Sequence, residues 1–254
     1  MTWLSPDRSP LMELFGQHKR HQTIILPWLK GGYGVVRVDS LQTPEVAWLS
    51  FYPLNFVAGN ARSEAAIDLI RSFLPNRILF APNDEWAHLI ENQWADRKRH
   101  QSRWRLSPKS LDIGHIRNLK AHIPVGFELV PIDLATMNNS DDEFWEDVLL
   151  FFGSYENFLK KGFGYCIKHG GNVVSVAYTD LPFTGSFEVE VKTKQSGAYR
   201  RKGLGTIVSA ALIEDGINRG LVPQWDAANE LSVRLAEKLG YTDPDPYEVY
   251  FRTK

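Results

Sequence analysis

Between Phe187 and Thr206 two kinds of chemistry stand side by side. Phe187 to Thr193 (FEVEVKT) alternates strictly, so Phe187, Val189 and Val191 face one way and Glu188, Glu190 and Lys192 the other. Two carboxylates on one strand face disfavour each other's charge, which raises the proton affinity of at least one of them. A little further on, Arg200-Arg201-Lys202-Gly203-Leu204-Gly205-Thr206 runs into a helix marked by Leu204, Ile207, Val208, Ala211 and Leu212, the stripe of an amphipathic helix. A strand, a glycine-containing turn and a helix N-terminus form an anion site. The first helical amides have no partner of their own, the dipole is positive there, and glycine lets a phosphate approach the backbone. Five basic residues from Lys192 to Lys202 add positive potential, and each charge-assisted amide-to-phosphate bond contributes roughly 1.5–3 kcal/mol. A P-loop would need Gly-Lys-Ser/Thr, and a dinucleotide fingerprint three glycines in a βαβ frame; neither is present. Two glycines alone also suit a helix start that merely needed flexible residues.

Downstream, Trp225 to Tyr241 (WDAANELSVRLAEKLGY) follows a short apolar strand and reads as a helix closed by Gly240. Leu231, Leu235 and Leu239 give its expected buried stripe, and Asn229 stands where it can cap the helix or reach a ligand. Trp225 and Asp226, at the exit of the preceding strand, are candidates for an acceptor mouth, with a core position the simpler role for Trp225.

Together these segments resemble the GNAT acyltransferase superfamily. Its pyrophosphate loop, Gln/Arg-x-x-Gly-x-Gly/Ala, is matched by Arg200, Gly203 and Gly205. Its second motif, an Asn followed by a helix ending in Lys-x-Gly-aromatic, is matched by Asn229, Lys238, Gly240 and Tyr241. The resemblance covers Phe127 to Arg252 and is nearest to a bacterial subgroup with an additional N-terminal region, some members of which are linked to antibiotic self-resistance. It implies acetyl-CoA as co-substrate, with its pyrophosphate on the amides of Arg201, Lys202, Gly203, Leu204, Gly205 and Thr206. It also implies a pantetheine arm paired along the backbone from Val191 to Thr193, with Asn229 and Ser232 beside the cofactor. An amine then attacks the thioester directly. An ammonium near pKa 10 has no lone pair, so the reaction needs a base and a stabilised oxyanion. Glu188 and Glu190 are the candidate bases; both also suit solvent-facing strand positions, partners for Lys192, or the binding of a cationic substrate. Where many members have Leu-Tyr-x-Lys, with the Tyr as general acid, this chain has Leu235-Ala236-Glu237-Lys238. Ala236 cannot donate a proton, which leaves Ser232, Tyr241 or Tyr247 as substitutes, or a thiolate that leaves unaided.

These residues need a frame. Phe127 to Ile132 reads as a strand, Asp141 to Phe152 as a helix with acids in its first turn, and Ser154 to Lys161 as a further helix. Phe163 to His169, the turn Gly170-Gly171-Asn172 and Val173 to Thr179 spell a β-hairpin. After the loop and long helix come a strand at Leu221 to Trp225, a helix from Asn229 to Lys238 and a last strand near Tyr247 to Arg252. The first half reads as mixed α/β, with strands at Val46 to Tyr52 and Arg77 to Phe80 and helices at Ser63 to Phe73 and Asn83 to Trp94. The basic run Arg97 to Arg105 reads as a solvated helix end or loop. Punctuation between Ser107 and Gly126 puts a boundary near residue 124. The expected fold is α/β (α+β): a GNAT domain over 125–254, a mixed, mostly antiparallel sheet flanked by helices, preceded by a smaller α/β domain over 1–124 whose role no motif defines.

Composition bounds the rest. The 254 residues carry 29 Lys+Arg against 30 Asp+Glu, a net charge of -1, which argues against a nucleic-acid coat. A single Cys excludes a disulfide framework and a Cys-rich zinc site and suits a reducing compartment. Cys166 has no evident His partner, and His18 and His21 have metal-like spacing but no third ligand, so no metal is expected. Pro and Asp interrupt the N-terminal stretch where a signal peptide would be apolar, and no run approaches a membrane span. The expectation is a cytoplasmic N-acetyltransferase acting on a small primary amine, a monomer or homodimer without nucleic-acid or membrane partners. Two competitors stay open: a CoA-binding sensor that lost turnover, and an enzyme acylating a protein or peptide amine.

Overall fold

The computed structural model describes residues 2–3, 8, 11–31, 33–181 and 183–253; of the N-terminal stretch weighed above as a signal peptide, residues 1, 4–7 and 9–10 lie outside them. In chain order the elements are β1 (Thr2–Trp3), α1 (Met12–Phe15), α2 (Gln22–Gly31), β2 (Val35–Val38), β3 (Val46–Phe51), β4 (Leu54–Gly59), α3 (Glu64–Ser72), β5 (Ile78–Phe80), α4 (Asp84–Trp94) and β6 (Lys98–Ser107). Then follow α5 (Ile113–Ala121), β7 (Phe127–Pro131), α6 (Leu134–Asn138), α7 (Glu146–Phe152), α8 (Tyr155–Lys161), β8 (Gly164–His169), β9 (Asn172–Thr179), β10 (Ser186–Thr193), α9 (Leu204–Asn218), β11 (Val222–Ala227), α10 (Glu230–Leu239) and β12 (Thr242–Arg252). The chain forms two compact units, Met1–Arg103 with Pro246–Lys254, and Trp104–Asp245. It passes from one to the other within β6 and returns within β12. The punctuation near residue 124 falls inside the second unit, between α5 and β7.

In the first unit β1 to β4 form an antiparallel run, β5 joins β4 in parallel, and β12 pairs antiparallel with β5. Ser63 and Asn83 cap α3 and α4, each accepting a backbone N–H three residues on, as their N-cap side chains predict. These two helices bury Ile70, Trp86, Ile90 and Trp94 with Val57, Leu79 and Tyr250. His18 and His21 are buried among aromatic rings: His18 against Phe56, and His21 against Phe80 and Tyr247. The basic run is neither loop nor helix end. Lys98–Ser107 is β6: its basic first part is exposed or half-buried, and Arg105 and Leu106 are buried where the strand pairs with β11.

The second unit is a sheet in the order β6-β11-β10-β9-β8-β7, antiparallel throughout except for β10 with β11. Gly170 and Gly171, at φ 55° and 79°, turn the β8–β9 hairpin in the left-handed region that two-residue turns require. One face carries α6, α7 and α8, with Phe144, Trp145, Val148 and Phe158 packed on Cys166, Val176 and Tyr178. The other carries α9, whose Leu204, Ile207, Val208 and Leu212 pack on Ile167, Val174, Ala177 and Phe187. Asp141 to Phe152 is not one helix: a 3₁₀ turn at Asp142–Phe144 precedes α7, and the buried Trp145 sits at the break. Nor is α9 amphipathic. Ala210 and Ile213, which a one-sided stripe would expose, are fully buried in a second cluster with Ile116 of α5 and with Trp225 and Leu239. In α10 the stripe is Ala236 and Leu239, supported by Val233 and Leu235, whereas Leu231 is 70% exposed.

Candidate active site

β10 and β11 part company in the middle of the second unit. Their parallel pairing covers Ser186↔Val222, Phe187↔Pro223 and Glu188↔Gln224 only. Beyond it β10 continues against β9 as far as Thr193↔Ser175, while β11 continues against β6 as far as Ala227↔Trp104. The amide of Asp180 donates to the carbonyl of Glu188, and the amide of Lys194 donates to that of Val174. Residues 188, 190, 192 and 194 therefore turn their backbone groups to β9, and by alternation Val189, Val191 and Thr193 turn theirs toward the opening. This edge lines one side of the fork at Val191 and Thr193, the two positions read from the sequence for a pantetheine arm; the Thr193 carbonyl accepts from the Gln195 side-chain amide at 3.2 Å.

The start of α9 stands near this edge. Gly203 is its N-cap at φ 74°, with no side-chain cap, and Ile207 N–H to the Gly203 carbonyl is the first helical bond. The amides of Leu204, Gly205 and Thr206 thus have no intrahelical partner. Arg201 also lies in the left-handed region, at φ 57°, a conformation that costs a non-glycine residue on the order of 1 kcal/mol. A Cβ on Gly205 would come within 3.6–3.8 Å of Thr193 Oγ1, Val191 Cγ2 and Leu235 Cδ2, so this glycine stands where β10, α9 and α10 converge. Arg200, Arg201 and Lys202 are exposed around it. The positive cluster is smaller than its sequence suggests: Lys192 pairs with Asp147 and Lys194 with Asp141, each at 2.6 Å. Lys192, Lys194, Asp141, Glu143 and Phe144 line a cleft of about 540 Å³ along the end of β10.

The two candidate carboxylates occupy different environments. Glu188 is 8% exposed and holds Arg105 of β6 in a two-pronged pair, Nη1–Oε2 at 2.7 Å and Nη2–Oε1 at 2.8 Å. The same guanidinium donates to Gln224 Oε1 at 3.1 Å and lies 3.9 Å from Asp226. Arg105 therefore ties β6, β10 and β11 together at the point of the fork, a role no motif in the basic run foretold. Glu190, one step further out, has an oxygen within 4.8 Å of oxygens of both Asp147 and Asp180. Asp180 was not singled out in the sequence. Burial, followed by the charges of Glu190, Asp147 and Glu188, pushes its carboxyl well above the ordinary range.

On the α10 side, Asn229 Oδ1 accepts the Ser232 N–H as the helix cap. Ser232 Oγ accepts the Trp225 indole N–H at 3.0 Å, which leaves its own proton to donate. Tyr241 is buried and donates to the Pro223 carbonyl, and Tyr247 belongs to the first unit. Ala236 is fully buried in the core. Of the alternatives weighed as general acid, Ser232 is the one on α10, tied through Trp225 to β11.

A family model described as GNAT acetyltransferase matches residues 12–250 of this chain. The chain belongs to the GNAT acetyltransferase family. Membership thus extends over both units and not only over the half in which the motifs were legible. Among solved structures, a GCN5-related N-acetyltransferase-like protein from Streptococcus suis is 31% identical, with 97% of this chain and 98% of that one covered at a TM-score of 0.81. The Bacillus subtilis protein YdfB, described as an uncharacterized N-acetyltransferase, is 26% identical over 210 residues, 77% of this chain and 76% of its own. An acetyltransferase of the GNAT family from Colwellia psychrerythraea shares the fold at a TM-score of 0.55 with 12% identity, over 100% of this chain and 99% of that one. The mixed, mostly antiparallel sheet flanked by helices is the GNAT fold expected. Among the described residues no helix is long and apolar enough to cross a membrane.

Proposed function

We propose that this GNAT acetyltransferase moves the acetyl group of acetyl-CoA to a primary amine of a small molecule by direct attack. The observation that carries the reading is the fork. β10 leaves β11 after Glu188, turns the backbone groups of Val191 and the amide of Thr193 toward the opening, and ends beside uncapped helix amides. The pantetheine arm has two amides that can pair with a strand edge, and the pyrophosphate needs converging N–H donors. Leu204, Gly205 and Thr206 provide those donors, with Arg200, Arg201 and Lys202 as surrounding charge. Ser232 stands as the proton donor to the departing thiolate. Glu190 is favoured over Glu188 as the base, because both oxygens of Glu188 are already engaged by Arg105.

The test has two parts. Calorimetry with acetyl-CoA should show binding that Gly203→Glu abolishes, since the new carboxylate would lie against the pyrophosphate while its Cβ meets nothing within 4 Å. Thiol release over a panel of small amines and lysine peptides then separates the readings. Release with small amines supports this proposal, release with peptides alone points to a protein acceptor, and binding without release points to a sensor. No binding at all means the loop is misread.

A further inference from the structure

Asp180 stands at the end of β9, opposite the acidic face of β10. Its backbone N–H is bonded to the Glu188 carbonyl, which holds the residue against that strand. Its Oδ1 is buried and carries no hydrogen-bond partner, an arrangement that structures avoid unless the group is used. Within 4.8 Å lie oxygens of Glu190 and of Asp147. The groups around it have distinct assignments. On β10, Glu188 is held by Arg105 and Lys192 is held by Asp147. On α7, Asp147 pairs with Lys192 and still adds its negative charge to the surroundings of Asp180. On β9, the Tyr178 hydroxyl donates to the Phe144 carbonyl. Oxygens of Glu190 and Asp180 lie close together, next to the fork.

We propose that Asp180 and Glu190 work as one proton-accepting pair, with Glu190 meeting the acceptor amine and Asp180 positioning and strengthening it as a base. The idea rests on the acetyl-transfer reading above. Two ionised carboxylates this close repel, so the pair takes up one proton far more readily than a lone Glu does. An aliphatic ammonium entering the site is attracted by the doubly charged pair and gives it one proton. The freed lone pair attacks the thioester carbonyl carbon and forms the N–C bond. As the C–S bond breaks, sulfur keeps its electron pair and takes up the second amine proton, relayed through Ser232. The pair releases its proton to water when the amide leaves. Such a site selects amines that arrive as cations over neutral anilines or hydrazides.

The pair can be followed without knowing the acceptor, by carboxyl ¹³C NMR on full-length protein labelled at Asp and Glu. One resonance should titrate above about pH 6, outside the ordinary carboxylate range, and be missing from Asp180→Asn. In Glu190→Gln the Asp180 resonance should fall by about one pH unit or more as the like charge is removed. With any amine that releases thiol, Asp180→Asn should move the acid limb of kcat/KM down by a similar amount and lower kcat, leaving acetyl-CoA affinity within about twofold; Glu190→Gln should lower kcat roughly 10²-fold or more. If every carboxyl titrates in the ordinary range, or if the Asp180 resonance ignores Glu190→Gln, the pair does not exist. Broadening of that resonance by micromolar Mn²⁺ would replace it with a cation site. Failure of acetyl-CoA binding in calorimetry overturns the reading of the fork and leaves the titration result standing.

Discussion

Glu188 and Glu190 look equivalent in the sequence and part ways in the fold through one side chain each. Arg105 reaches Glu188 from 83 residues away in the chain, whereas Glu190 meets carboxylates. Substituting Glu188 should therefore read mainly as stability. Removing one partner of a buried pair costs about 3–5 kcal/mol, so Glu188→Gln and Arg105→Met should each lower stability by that order in a denaturant titration. The double substitution should cost less than the sum, because the second removes a charge already orphaned. Cys166 illustrates the opposite outcome, in which a chemically capable residue is silenced. Burial pushes its thiol up to about 11, so Ellman's reagent should find no reactive thiol in the native protein and one after unfolding.

At the scale of elements, alternation and capping carried the sequence reading, and they failed where a neighbour from far along the chain intervened. The strict alternation of Phe187 to Thr193 survives as β10, with its apolar face on α9 and its charged face toward α7. In β9 alternation is broken by a bulge. Ile167 pairs with Ser175 and Lys168 with Val173, so Val174 is extra, and Val173, Val176 and Tyr178 share one face while Val174 and Ala177 share the other. Tyr178 lies directly opposite Glu190 in the β9–β10 pairing, which puts it, and Asp180 beyond it, on the acidic face of β10. Asn229 was legible both as cap and as cofactor neighbour, and the cap is the contact the structure contains. Asn229→Ala should cost about 1 kcal/mol of stability through loss of the Ser232 N–H bond. Fraying of the first turn of α10 should then also raise KM for acetyl-CoA, whereas Asn229→Asp, which keeps the cap, should restore stability.

The whole molecule turns on two crossings of the chain that no local pattern announces. Because α5 and the end of β6 belong to the second unit, a fragment 125–254 lacks Leu106 and Ile116, both buried in the cluster under α9 and α10. It also carries β12, whose Val249 and Tyr250 are buried in the first unit. That fragment should be aggregated or molten, while 104–245 should give a dispersed amide NMR spectrum. Acid stability is a second global property. Burial lowers the His18 pKa to about 4, against an ordinary 6.5. The unfolded chain therefore takes up a proton at pH values where the folded one does not, and stability falls as pH drops from about 6.5 toward 4 and is untouched above. The full loss is about 3 kcal/mol, and His18→Gln should lack that part of the slope in denaturant midpoints measured against pH. The sequence by itself determined the strands and helices with regular period or caps, the glycine turn into α9, and through two motifs the acetyltransferase character. Those are properties of neighbours within a few residues, where spacing alone dictates which side chains share a face. Tertiary structure alone decided which acid is tied to Arg105, that Asp180 joins Glu190, that α9 is buried on all sides and that the chain returns to its first unit. Each of these is a contact between residues distant in the chain, set by how the sheet closes and which charges must share a desolvated space.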